Sequence, residues 1–270
     1  MKVKVHGCRG SVAYVMEQPS RYGRNTSCMS LSSGGYPLII DAGSGILNLN
    51  SDEDFLKSLQ GPADILLSHL HLDHIIGLCA FSPAFNKDRG IAVHTLSRGD
   101  RSLINQVFGA FAPPYWPVPL EKIVTATCLP VQVDMPFIIG PFTIKPFVSC
   151  HPDNAASFHI TDGSKSLVYL LDNEVPAMDE ASYEKLVKYC QGVDLVVFDS
   201  AYDPAEYHKY VSWGHSTVKD GMRLHKDSGC KKMLFTHFDQ KYGDHIIDSW
   251  QEQYNNEECI YAYETMEMSL

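Results

Sequence analysis

Six consecutive residues, His69-Leu70-His71-Leu72-Asp73-His74, set three imidazoles and a carboxylate side by side directly after the apolar run Ala63 to Leu67. Such density is the composition of a metal site. Alternate side chains of an extended segment point the same way, so His69 and His71 can grip one cation, while a turn into a helix brings Asp73 and His74 round to a second. Imidazole nitrogen and carboxylate oxygen suit zinc, and manganese or iron(II) accepts the same ligand types. Other reactive side chains stand singly where apolar runs end: His151 in SCHPD, Asp172 closing SLVYLLD, Asp199 in FDSAYD and His237 in LFTHFD. Each of these is ordinary when taken alone.

Strands and helices alternate along the chain in a way that would deliver those side chains. The residues predict strands over 2–6, 27–32, 37–40 and 63–67, then over 143–148, 157–160, 166–171, 194–198 and 232–235. The hairpin joining 157–160 to 166–171 turns at Asp162-Gly163. Helices are expected over 52–59, over 180–190 up to the stop at Gly192, from about Ser216 onward, and over 244–252. Two strand-rich sheets with helices outside and polar groups gathered at one edge make an α+β, four-layer αββα sandwich. No repeat, low-complexity tract or linker divides residues 1–270, which read as a single domain.

Composition narrows the function classes. With 44% hydrophobic and 20% charged residues the chain is ordinary for a globular protein. A formal net charge of −10 offers no basic field for long nucleic acids, yet bound divalent cations would leave room for a small anionic substrate. The eight dispersed cysteines contain no CxxC pair and read as reduced thiols, which points to the cytoplasm. No stretch approaches membrane-spanning length, so no membrane association is expected.

The hexapeptide HLHLDH resembles the HxHxDH motif of the metallo-β-lactamase superfamily, and the resemblance runs over nearly the whole chain. It implies two metal ions per chain. The first would be held by His69, His71 and His151, the second by Asp73, His74 and His237, with Asp172 as the bridging carboxylate. Asp41, closing PLIID, resembles a residue that supports the metal-bearing loop from behind without ligating. His6, His94, His159, His208, His225 and His245 match nothing in the pattern.

Three further segments, GCRGS, RYGRNTSCM and the pair FDSAYD with WGHST, resemble the branch that holds ribonuclease Z and the phosphodiesterase of phosphonate breakdown. In that branch a carboxylate in the first element of the pair orients a histidine in the second. The roles carry over to Asp199 and His215, with Asp199 standing where ribonuclease Z usually has Glu. Phosphodiester cleavage expels an alkoxide, to which a carboxylate-held histidine can supply a proton. Ribonuclease Z usually carries a long tRNA-grasping arm between the third histidine and the bridging aspartate. Here His151 and Asp172 are only 21 residues apart, an interval filled by a hairpin.

The expected function is therefore cleavage of a compact phosphodiester, a cyclic nucleotide first, by a hydroxide shared between the metals and fixed by Asp73 and Asp172. Thioester or other acyl hydrolysis and cleavage of short RNA are the competing enzymatic readings; a non-catalytic nucleotide-binding protein is the third. Asn25 to Ser27 would line the site without a catalytic role. The segment Phe108 to Leu120, FGAFAPPYWPVPL, reads as a lid or a dimer contact, with Tyr115 or Trp116 placed to stack on a base. Relatives of this kind commonly form homodimers.

Overall fold

In the run YPLII, Leu38 and Ile40 point into one core cluster and Ile39 into another. That period of two organises the first half of the molecule. The structure, a computed structural model, describes residues 1–16, 20–97, 99 and 101–270. Its strands are β1 (Lys2–Gly7), β2 (Arg9–Gly10), β3 (Cys28–Ser33), β4 (Tyr36–Ile40), β5 (Ala63–Leu66), β6 (Ile91–Leu96), β7 (Ala126–Val131) and β8 (Phe137–Ile139). There follow β9 (Phe142–Val148), β10 (Ala156–Thr161), β11 (Ser166–Leu170), β12 (Leu195–Asp199), β13 (Met233–Thr236), β14 (Phe238–Asp239), β15 (Cys259–Tyr261) and β16 (Glu267–Ser269). The α-helices are α1 (Glu53–Ser58), α2 (Leu72–Ile75), α3 (Leu103–Phe108), α4 (Glu180–Cys190), α5 (Val218–Ser228) and α6 (Asp244–Gln253).

Two seven-stranded sheets stack face to face, one in the order β16-β1-β3-β4-β5-β6-β7 and the other β15-β13-β12-β11-β10-β9-β8. Val5, Leu31, Leu38, Ile40 and Leu66 of the first share a core with Phe142, Ile144, Phe158, Ile160 and Tyr169 of the second. Fully burying a side chain of this size contributes about 1.5–3 kcal/mol. On the far side of the first sheet, Ile39, Ile65 and Val93 pack on Ile46, Leu49, Phe55, Leu78, Phe81 and Phe108. This outer layer is built from short 3-10 turns over 44–51 and 76–85 together with α1 and α3.

Longer helices cover the second sheet. Asp179 caps α4 by accepting from the Ser182 N–H, and Thr217 with Asp220 forms a reciprocal capping box at the start of α5. Gly221 of α5 lies so close to Phe235 and Phe198 that any larger side chain would push the helix off the sheet. The four-layer αββα arrangement expected from the sequence is the one observed.

The sheets are parallel where the chemistry is. Strands β4 to β7 run parallel in the first sheet, and β11, β12, β13 and β15 run parallel in the second. Parallel neighbours deliver their C-terminal ends to one edge, where ligands gather in open α/β sheets. Strands β6 and β7 extend the first sheet where the residues predicted none. As an edge strand β7 tolerates Pro130, which has no N–H to give to a ladder and so argues against a strand in the sequence.

Candidate metal centre

Strand ends supply almost every reactive side chain. Asp41 follows β4, Ser68 and His69 follow β5, His151 follows β9, Asp172 follows β11, Asp199 closes β12 and His237 follows β13. His71 precedes the single turn α2, which carries Asp73 and His74. Asp41, Asp172 and His237 leave their strands in the left-handed region, at φ of 58, 52 and 65°. That conformation costs about 1–2 kcal/mol for a residue with a Cβ, and it turns each side chain back toward the sheet edge.

The seven residues expected to ligate form two groups. His69, His71, His151 and Asp172 converge with ligand atoms all within 4.8 Å of one another, and so do those of Asp73, His74 and His237. His151 Nε2 and His71 Nδ1 are 3.2 Å apart, and Asp172 Oδ1 lies 3.7 Å from both His69 Nε2 and His151 Nε2. On the other side Asp172 Oδ2 lies 3.0 Å from His74 Nε2 and 3.4 Å from His237 Nε2, while Asp73 Oδ2 is 3.3 Å from each of those nitrogens. Asp172 thus turns one carboxylate oxygen to each group, the geometry of a bridge.

Two buried atoms show that this donor set fits cations. His69 Nε2 has no hydrogen-bond partner, and Asp172 Oδ2 has none of proper hydrogen-bond geometry although His74 Nε2 lies 3.0 Å away; each such orphan costs about 1–3 kcal/mol. Imidazole nitrogens facing at 3.2–3.3 Å, as in His71–His151 and His74–His237, repel unless a proton or a cation lies between them. Divalent ions would resolve both faults. The titration pattern has the same origin. Burial would push the Asp172 carboxyl up, yet the rings of His237, His74 and His69 hold it well below the usual carboxylate range. Burial likewise depresses His74, but Asp172, Asp73 and Asp41 outweigh it and raise the ring well above the ordinary histidine value.

Behind the ligands lies a buried net of hydrogen bonds. Asp41 accepts from the Ser68 N–H at 2.8 Å, from the Ser68 hydroxyl and from Tyr169 OH at 2.8 Å, and it holds His74 Nδ1 at 2.8 Å. This fixes the His74 tautomer and turns Nε2 toward the ligand group. His151 Nδ1 donates to the Gly214 carbonyl at 2.9 Å, which does the same for the other group. Gly214 must be glycine, because its φ is +90° and a Cβ would overlap His151 Nδ1.

Asp199 and His215, paired on sequence grounds, meet with Oδ2 2.8 Å from Nδ1. The His215 ring packs against His237 at 5.1 Å and His151 at 5.2 Å between centroids, so it touches one member of each group. Burial pushes this imidazole down; Asp199, by charge and hydrogen bond, and then Asp172 more than reverse that and raise it to about 9.

Several features were invisible in the sequence. The backbone N–H of Ser11, itself at φ 60°, donates to Asp73 Oδ2 at 2.8 Å, so GCRGS reaches the ligands through its main chain. Glu174 is buried and accepts from three groups of the segment that carries His215. Asn25 to Ser27, expected to line the site, instead brace the turn at Gly43 and Ser44 from behind Asp73. In the loop Phe108 to Leu120, Trp116 packs edge-on against Phe111, and Tyr115 is exposed, as is Val118. Among the described residues, His6, His94, His159, His208, His225 and His245 join neither group.

The chain matches the family model described as the β-lactamase superfamily domain over residues 37–238. It is 28% identical over 244 residues to a probable metallo-hydrolase, YhfI of Bacillus subtilis, covering 88% of this chain and 86% of that one. It is 24% identical over 254 residues to the mitochondrial ribonuclease Z 2 of Schizosaccharomyces pombe, covering 88% of this chain but 35% of that protein. The crystal structure of the metallo-β-lactamase fold protein YhfI superposes with a TM-score of 0.73 at 22% identity, covering 99% of this chain and 98% of that one.

Proposed function

The chain belongs to the β-lactamase superfamily and is a metal-dependent hydrolase, and from that premise we propose that it cleaves a small phosphodiester, a cyclic nucleotide first among candidates, with two zinc ions as cofactors. The observation that carries this reading is the Asp199–His215 pair, set against both ligand groups with Nδ1 of the imidazole held at 2.8 Å. Cleaving a phosphodiester expels an oxygen that needs a proton, whereas a thioester releases a thiolate that does not.

Cations held by the two groups would supply Lewis acidity toward a phosphate oxygen and lower the pKa of a water. The chain's own residues do the rest. Asp172 and Asp73 present carboxylate oxygens between the groups and orient whatever proton-bearing species enters there. Asp199 occupies Nδ1 of His215, which leaves Nε2 to hold the proton that goes to the departing oxygen. Asp41 and the Gly214 carbonyl hold His74 and His151 in the tautomer that keeps their ligating nitrogens free.

The ribonuclease Z likeness supports short RNA as a second reading, and the net charge of −10 weighs against a long one. A hydrolysis panel of 3′,5′- and 2′,3′-cyclic nucleotides, linear dinucleotides, a short RNA and a glutathione thioester, run with zinc and with manganese, tests the assignment. Cyclic phosphodiesters should turn over fastest. Selective turnover of the thioester would overturn the proposal, and selective turnover of RNA would replace the substrate.

A further inference from the structure

Glu174 stands two residues beyond the bridging Asp172 and is 3% exposed, a position where a carboxylate survives only if its oxygens are occupied. Its Oε1 accepts from Tyr207 OH at 2.6 Å and from the Ser212 N–H at 2.7 Å; its Oε2 accepts from the Gly214 N–H at 2.8 Å. All three donors belong to the segment that ends in His215. Ser212 and Gly214 both sit at positive φ, 73 and 90°, beyond the short 3-10 turn Tyr207–Lys209; the Trp213 N–H donates to the Tyr210 carbonyl, and the Glu174 carboxylate takes the N–H groups on either side of it.

The neighbours of Glu174 complete the grip. The Ser216 hydroxyl donates to the Asn173 carbonyl at 2.5 Å and accepts from the Val175 N–H at 2.9 Å. The Glu174 N–H donates to the Cys150 carbonyl at 2.8 Å, next to His151. Residues 173–175 thereby fix both sides of His215, while the Gly214 carbonyl between them receives His151 Nδ1.

We propose that Glu174 is the positioning residue for His215: its carboxylate clamps the 207–214 segment so that the imidazole keeps its bond to Asp199 and faces the departing oxygen. The inference rests on His215 serving as the leaving-group acid. Glu174 makes no direct side-chain contact with either ligand group; through the loop its carboxylate reaches His215 and, by way of the Gly214 carbonyl, His151. A glutamine in its place keeps the shape but turns an N–H₂ toward one of three donors, so at least one bond is lost.

The test compares Glu174→Gln, Tyr207→Phe, His215→Ala and the parent on two esters, in zinc-loaded protein. A nucleoside 3′,5′-cyclic phosphate loses an alkoxide and needs the acid; bis-p-nitrophenyl phosphate loses a stabilised phenolate and needs it far less. For Glu174→Gln, kcat on the cyclic phosphate should fall about tenfold further than kcat on the aryl ester, with little change in KM and zinc content equal to the parent's. Tyr207→Phe, which removes one bond without touching the carboxylate, should shift the ratio the same way by less, and it decides the matter if Glu174→Gln does not fold. Adding Glu174→Gln to His215→Ala should cost nothing more on the cyclic phosphate.

An independent readout is the downfield proton of the His215 Nδ1–H bonded to Asp199, identified by its loss in His215→Ala and followed in metal-free protein. It should broaden or move in Glu174→Gln. Equal losses on both esters, or an unmoved resonance, would overturn the proposal. If the parent cleaves neither phosphodiester, the functional reading falls by itself, and the resonance alone then decides whether Glu174 positions His215.

Discussion

Asp199 Oδ2 and His215 Nδ1 are 2.8 Å apart across 16 positions of sequence, and neither residue has another partner as close. Replacing His215 by Ala should leave zinc content intact and cut turnover of a phosphodiester by about a hundredfold or more, the range of lost acid-base help. Asp199→Asn, which can no longer draw the proton onto the imidazole, should show a smaller loss in the same direction. Steady-state kinetics beside elemental analysis separates lost chemistry from lost metal, and full activity in His215→Ala would remove the role assigned to it.

What the sequence made legible follows from the physics of strand ends. HLHLDH could be read because its four donors fall within six residues and follow a buried run, so one turn suffices to split them between two groups. His151, Asp172 and His237 needed the resemblance, since only the stacking of two sheets brings residues this far apart in sequence together. The contribution of Ser11 was hidden because it is a backbone N–H, which any residue carries. Glu174 was hidden because a carboxylate in a run such as DNE reads as solvent-facing, and its burial depends on a segment more than thirty residues away. Strands β15 and β16, three residues each, are too short to show any period.

Ion removal should separate activity from fold. Dialysis against a chelator is expected to abolish hydrolysis and to lower the melting temperature, because ions that bind only the native state stabilise it, by about 2.7 kcal/mol at a hundred times the dissociation constant. Readdition of zinc should restore both, at about two ions per chain by elemental analysis. A protein that melts and turns over identically in the chelator would dispose of the ligand assignment.

Asp41 offers a sharper probe, because it lies behind the two groups and holds His74 through Nδ1, the nitrogen turned away from them. Its carboxylate is fully buried and accepts from Ser68 and Tyr169 while holding His74. Asp41→Ala strands those donors in the core, and loss of such an outer partner weakens metal affinity about 10–100-fold. Competition with a chromogenic chelator measures this directly. If zinc binds the variant as tightly as the parent, the orientation of His74 does not depend on Asp41.

His6 should make stability depend on pH at a point remote from the two histidine–aspartate groups. The ring is buried beside Ser30 Oγ at 2.8 Å. Burial first, then the charge of Lys4, lowers its pKa to about 4, against the opposing pull of Asp52 and Glu267. The folded pKa is depressed relative to about 6.5 in the unfolded chain. Above that value both states are neutral and His6 has no effect on the balance. As the pH falls from about 6.5 to about 4 the unfolded chain takes up a proton that the native state refuses, so stability is lost, by about 3 kcal/mol over the whole window. In His6→Gln the amide can still meet Ser30 but cannot titrate, so urea denaturation at several pH values between 7 and 4.5 should show a shallower decline than in the parent. The histidines and carboxylates elsewhere titrate in both proteins and cancel in the comparison, so parallel curves would mean that His6 is protonated as readily in the folded protein as outside it.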